Sequence, residues 1–176
     1  PDYNRLAYTT VNDFTSTLLL RKLLERQDVR ESFISRFCDH MNTSFKPARV
    51  VALIDTMEQE MAHDLPEHIN RWGMLDKQQQ IEPLKDFARS RPHYMREHLK
   101  ALYGLTDTAL VTVATDKLKG TIRVNTLLID SLLPGLDNPV QPYPWQGVYF
   151  ASVPVVVEAI PQPGYVFSHW EGDDSS

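Results

Sequence analysis

Six histidines, one cysteine, a few acidic and basic clusters and a set of aromatics are the side chains of this 176-residue chain that could do chemistry. His63 and His68 stand five apart, as do His93 and His98. A helix juxtaposes residues three or four apart, so neither pair makes a clean metal site, and no metal ligand is assigned. All six histidines, His40 and His169 included, read as surface or capping residues. His63 and Asp64 are adjacent and cannot face each other as a catalytic pair. No G-x-S-x-G elbow and no catalytic cysteine signature occurs, so no catalytic residue is assigned. The first 104 residues hold only Gly73 and Gly104, which excludes a glycine-rich phosphate cradle there and leaves no cofactor-binding residue.

Cys38 falls inside an amphipathic stretch and reads as a small hydrophobe. A single thiol cannot form an internal disulfide, so the redox compartment stays open. Glu58, Glu60 and Asp64 read as a solvated helix face. Arg21-Lys22 and the basic residues from Arg89 to Arg96 could meet a phosphate, but nearby Glu and Asp are the simpler partners. Trp145, Tyr149, Tyr165 and Trp170 carry two readings. In a module this small they are the core; the alternative is a stacking platform for a glycan or a surface protein. Asp173 and Asp174 read as the start of a linker, with a calcium site as the alternative.

The elements that must position these groups change character at Gly104. Through Gly104 the chain carries fifteen Lys/Arg and fifteen Asp/Glu; beyond it, three and eight. A basic footprint is missing, which argues against nucleic acid as a partner. Seven of the twelve prolines lie in the shorter second part. No apolar run approaches the ~20 residues that span a bilayer. Pro1 is not an initiator and the chain stops in mid-loop, so a piece of a longer protein is expected.

Residues 1–14 show weak periodicity and are expected to form a loop or short turn. Thr15-Ser16-Thr17 can cap a helix from Leu18 to Arg26, whose five leucines make a wide apolar face. Asp28 and Glu31 have capping-box spacing for a second helix. There Val29, Phe33, Ile34, Phe37 and Met41 face inward, and Arg30, Glu31, Arg36 and Asp39 face away. Pro47 suits the first position of a third helix, with Val50, Leu53, Ile54, Met57 and Met61 inside. Pro66 marks a break before a short turn ending at Gly73. Pro83 and Pro92 each open a further helix, the last closing at Gly104.

The second part reads as short strands. Leu110 to Ala114 and Thr121 to Asn125 are expected to form a hairpin around the turn at Asp116 to Gly120. Leu133 to Tyr143 is a Pro-rich loop. Gly147 to Phe150, Val153 to Ile160 and Tyr165 to Trp170 are further strands, the last two joined by the turn Pro161-Gln162-Pro163-Gly164. The expected fold is α+β: about five helices over 1–104, then a small all-β module of about five strands over 105–176.

The stretch from Leu18 to Leu105 resembles the C-terminal region of the CotH kinase family, named for spore coat protein H. The resemblance rests on Leu19-Leu20-Arg21-Lys22-Leu23-Leu24-Glu25, Phe33-Ile34-Ser35-Arg36-Phe37-Cys38-Asp39 and Met41-Asn42-Thr43. It continues through Pro47-Ala48-Arg49-Val50, His68-Ile69-Asn70-Arg71-Trp72-Gly73 and Phe87-Ala88-Arg89-Ser90-Arg91-Pro92. The resemblance implies an ATP- and divalent-metal-dependent atypical protein kinase as the parent. The family's catalytic aspartates lie upstream of the matched stretch, so this chain is expected to be non-catalytic and to hold no cofactor. It would be a helical subdomain that braces the upstream kinase lobe of the same polypeptide. A subdomain parted from that lobe would expose an apolar patch.

The second part resembles a divergent bacterial β-repeat of the internalin B-repeat type. That rests on Gly147-Val148-Tyr149-Phe150, Val153-Pro154-Val155-Val156-Val157-Glu158-Ala159, Pro163-Gly164-Tyr165-Val166-Phe167 and Trp170-Glu171-Gly172. His169 stands where a small residue is usual. Together the resemblances imply a secreted or cell-surface bacterial protein, with the module as spacer or adhesion unit.

Overall fold

The computed structural model describes residues 2–11, 15–73 and 77–172. It is an α+β fold. The helices are α1 (Arg5–Val11), α2 (Leu18–Leu24, entered by a 3-10 turn at Thr15–Thr17), α3 (Gln27–Asn42), α4 (Pro47–Met61), α5 (Leu65–Trp72) and α6 (Lys77–Tyr103). The strands are β1 (Thr108–Val113), β2 (Gly120–Val124), β3 (Leu127–Ile129), β4 (Trp145–Phe150) and β5 (Val157–Pro161). Asp173 and Asp174 lie outside the described residues.

The helix starts depart from expectation for local reasons. The first residues form α1, because Asn4 Oδ1 accepts the Ala7 N–H at 2.9 Å and Leu6 is buried. Thr17 makes no side-chain cap; its hydroxyl accepts from Arg21 instead. Asp28 and Glu31 form no capping box. α3 begins one residue earlier, Asp28 pairs with Arg26 at 2.7 Å, and Glu31 accepts from Gln27. Arg26 accordingly holds the exposed Asp28 carboxyl below its usual range. Pro47 and Gly104 sit as expected, the first opening α4 and the second following α6 with φ +63°.

The expected fourth and fifth helices are one. α6 runs through Pro83 and Pro92 without ending. An interior proline costs about 3 kcal/mol of helix stability, so packing must outweigh it. Leu99 at 0% exposure, with Ala88 and Pro92 also buried, provides that packing.

The expected hairpin between the first two strands does not form. β1 pairs antiparallel with β4, Leu110 opposite Val148, while β2 pairs with β3 and β5 in a second sheet ordered β3-β2-β5. The turn at Asp116 has the expected chemistry, with Asp116 Oδ1 accepting the Leu118 N–H, but it carries the chain between sheets. The true hairpin is β2–β3, closed by Asn125 and Thr126 with Asn125 at φ +50°. Asn is among the few residues that tolerate that conformation. Residues 165–170 form no strand and are exposed.

One apolar core runs across Gly104. Ile34, Cys38 and Met41 of α3 and Leu99 of α6 join Ile122, Val124, Ile129, Trp145, Tyr149 and Phe150. Each large apolar side chain buried in this way contributes roughly 1.5–3 kcal/mol. The second part therefore packs on α3 as well as on itself.

Candidate functional site

Two features of α3 organise the molecule: a buried carboxylate toward β4, and an apolar groove on its other side. Asp39 does not face away; it is 0% exposed. The Tyr149 hydroxyl donates to its Oδ1 at 2.9 Å, Asn125 Nδ2 to the same oxygen at 3.2 Å, and the Thr126 hydroxyl to Oδ2 at 2.9 Å. Arg36 Nη1 stands 4.0 Å from Oδ2 and also donates to Thr126. Asn125 in turn exchanges two bonds with Val156, through its own N–H and its side-chain oxygen. One helix carboxylate thus ties α3 to the β2–β3 turn, to β4 and to the entry of β5. Buried charges persist when their lone pairs are filled in this way.

Beside it, Asn42 works as a strand mimic. Its Nδ2 donates to the Val148 carbonyl at 3.1 Å, and its Oδ1 accepts the Val148 N–H at 3.0 Å and Arg96 Nη2 at 3.1 Å. Cys38 lies between these groups at 1% exposure. Burial, with a contribution from Asp39, pushes its thiol up from an ordinary 9.0 to about 11, against the pull of Arg96. Burial and the Asp39 charge push the Tyr149 phenol upward as well.

Both groups favour the protonated form in the fold. The unfolded chain releases its protons first, so their contribution is whole below pH 9 and drains away as pH rises toward 11. We expect Cys38 alone to lower the unfolding free energy by about 2 kcal/mol over that interval in urea titrations, with Tyr149 adding to the fall, since a tenfold change in proton affinity is worth ~1.4 kcal/mol. A Cys38→Ala variant should show a shallower fall; an identical slope would remove Cys38 from this account.

On the other side of α3, Phe33, Phe37 and Phe45 face Val50 and Ile54 of α4 and Leu84 and Phe87 of α6 across a groove of about 570 Å³. α4 and α5 contribute no buried residue. The expected inner face of α4 is only half covered: Val50 and Ile54 line the groove, while Leu53, Met57 and Met61 are exposed. Leu18, Leu19, Leu20 and Leu23 of α2 are exposed too; only Leu24 is buried. Arg36, His40 and Arg91 also line the groove, and no acidic side chain among the described residues does. Helix α4 is held to α6 by Lys85, whose ammonium meets Asp55 at 2.6 Å, Glu58 at 3.3 Å and Glu82 at 3.6 Å.

The four aromatics singled out from the sequence divide. Trp145 and Tyr149 are 5% and 2% exposed and belong to the core; Tyr165 and Trp170 are each 49% exposed. They do not share one face. Trp170 stacks at a tilt on Phe167, centroids 5.1 Å apart. Among the described residues no three of His, Cys, Asp or Glu are placed to hold a metal ion. The dense acidic group of Asp55, Glu58 and Glu82 is occupied by Lys85, so these residues do not fit a metal-ATP site. No helix among the described residues is long and apolar enough to cross a membrane.

Asp39 is the residue that periodicity misses. Its signal is Asn42, three positions on, in a helix face that already holds Ile34 and Cys38: a short polar pair beside an apolar stripe marks a face covered by backbone.

A family model described as CotH kinase protein matches residues 3–95, a little over half of the chain. No curated protein and no solved structure matches it.

Proposed function

Because this chain belongs to the CotH kinase family, we propose that it is the helical C-terminal part of a CotH-type kinase, followed by a small β module of internalin B-repeat type. The helical part does not transfer phosphate; it braces the catalytic lobe of the same polypeptide. The β module acts as an extracellular spacer or adhesion unit of a secreted or surface-attached bacterial protein. ATP and a divalent metal belong to the lobe that this part supports.

The apolar groove between α3, α4 and α6 carries the reading. A contiguous apolar surface walled by three helices is what a packing partner leaves when it is removed. An element laid along α3 would meet Phe45, Leu84 and Phe87, and Arg36 and Arg91 add positive charge to the lining. In this reading Lys85 and its three carboxylates keep α4 and α6 at the right spacing.

The test compares this chain with the polypeptide encoded by its whole reading frame. The isolated chain should enhance the fluorescence of anilinonaphthalene sulfonate, a dye for exposed apolar surface, and the whole polypeptide should do so far less. Phe87→Asp should abolish the enhancement in the first and lower the melting temperature of the second. Transfer of the γ-phosphate of Mg-ATP by the isolated chain would overturn the proposal. A second reading, recognition of a glycan or surface protein by the β module, draws support from the exposure of Tyr165 and Trp170. Saturable binding on a glycan array that is lost in Trp170→Ala would favour it.

A further inference from the structure

A second, polar cleft of about 730 Å³ separates α6 and the end of α3 from β4 and the loop before it. Its helical wall is basic in a chain whose net charge is −5. Arg89, His93 and Arg96 recur on one face of α6 at spacings of four and three, and Lys46 stands at the rim. Lys46 is answered by Asp137 at 2.8 Å, and Arg89 by the exposed Asp86 and Glu82 of its own helix. Arg96 has no carboxylate within ion-pairing distance among the described residues. Its bonds go to Asn42 and the Pro92 carbonyl, and its buried Nε has no hydrogen-bond partner. Burial accordingly lowers its pKa. A largely desolvated guanidinium without an anion is costly, and an anion in the cleft would offset that cost.

The opposite wall offers main chain. Val148 turns both of its backbone groups away from β1 and onto Asn42. In an antiparallel ladder, residues two apart point the same way, so Gln146 presents its N–H and C=O on the same open edge, into the cleft. Asn42 closes that edge at one end, and Pro144, which has no N–H, limits it at the other.

We propose that this cleft binds an extended anionic peptide segment, which adds to the open edge of β4 at Gln146 and sets a carboxylate or phosphoryl group against Arg89, His93 and Arg96. Backbone pairing supplies the grip and the basic face of α6 selects the charge. The inference does not depend on the kinase reading, since the cleft lies on the opposite side of Met41 and Pro92 from the apolar groove.

Fluorescence anisotropy of labelled octapeptides tests it on the intact chain at low salt. One peptide alternates Asp and Val, one replaces each Asp with phosphoserine, and one alternates Asn and Val. Both anionic peptides should bind saturably, about tenfold or more tighter than the neutral one, with affinity falling as salt rises. Arg89→Glu, a change at an exposed position, should weaken them about tenfold while leaving the unfolding transition in place. Asp-Val peptide methylated at alternate backbone nitrogens should also lose about tenfold, because strand addition needs those donors. Equal binding of the neutral peptide, or full displacement by millimolar inorganic phosphate, would overturn the peptide assignment. Unchanged binding of the methylated peptide would overturn strand addition, and no saturable binding of any peptide would overturn the whole.

Discussion

Asp39→Ala should lower the unfolding free energy by about 4 kcal/mol, because removing one partner of a filled, buried charge leaves the others unpaired. Three donors lose their acceptor at once: the Tyr149 hydroxyl, Asn125 Nδ2 and the Thr126 hydroxyl. Two of these sit in the β2–β3 turn, so the loss is not confined to α3. Asp39→Asn should cost less, about 2 kcal/mol, since one oxygen remains to accept and the Thr126 hydroxyl can turn to accept from the new amide. Urea titration gives both values. Tyr149→Phe made in the Asp39→Ala background should cost far less than in the native chain, which is the signature of a shared network. A loss below ~1 kcal/mol for Asp39→Ala would mean that the carboxylate does not hold the two parts together.

Gly135→Ala should cost about 3 kcal/mol, the sum of a strained left-handed backbone and an overpacked contact. Gly135 has φ +79°, and a Cβ there would lie 2.5 Å from the Thr43 carbonyl oxygen and 3.1 Å from its carbon. Neither atom can swing aside, because both belong to the main chain that ends α3, where the Thr43 hydroxyl is itself bonded to the Asp39 carbonyl at 2.6 Å. Gly104→Ala is the control. Gly104 has φ +63° but nothing within 4 Å of an added Cβ, so it should lose only about 1 kcal/mol. The difference in urea midpoint between the two variants isolates the steric part. Equal losses would show that the loop yields and that its approach to α3 is not fixed.

Both predictions fall on the seam between helices and strands, where sequence reading is weakest. Periodicity places Ile34 and Met41 inside correctly, since both are buried. It sees one apolar stripe on α3, whereas the helix is used on two sides: Ile34, Cys38 and Asp39 toward β4, and Phe33 and Phe37 toward the groove. A stripe wide enough for both looks like a single face with polar errors at its margin, and Asp39 is one of those apparent errors.

The amino-acid sequence by itself determined the features that depend on a few neighbouring residues. These are the switch from helices to strands at Gly104, the start of α4 at Pro47, the strand-forming runs around Val111, Val148 and Val157, and the loop after Leu133. Each follows from backbone preference, which acts within one turn or one strand. The tertiary structure decided which strands pair, whether Pro83 and Pro92 end a helix, where Asp39 points and which apolar faces stay open. Those outcomes turn on contacts between residues as distant as Asp39 and Tyr149 or Asn42 and Val148, and local preference carries no information about a partner a hundred positions away. The open groove is the clearest case: α4 has the pattern of a buried helix, but only the folded molecule shows that Leu53, Met57 and Met61 stay exposed.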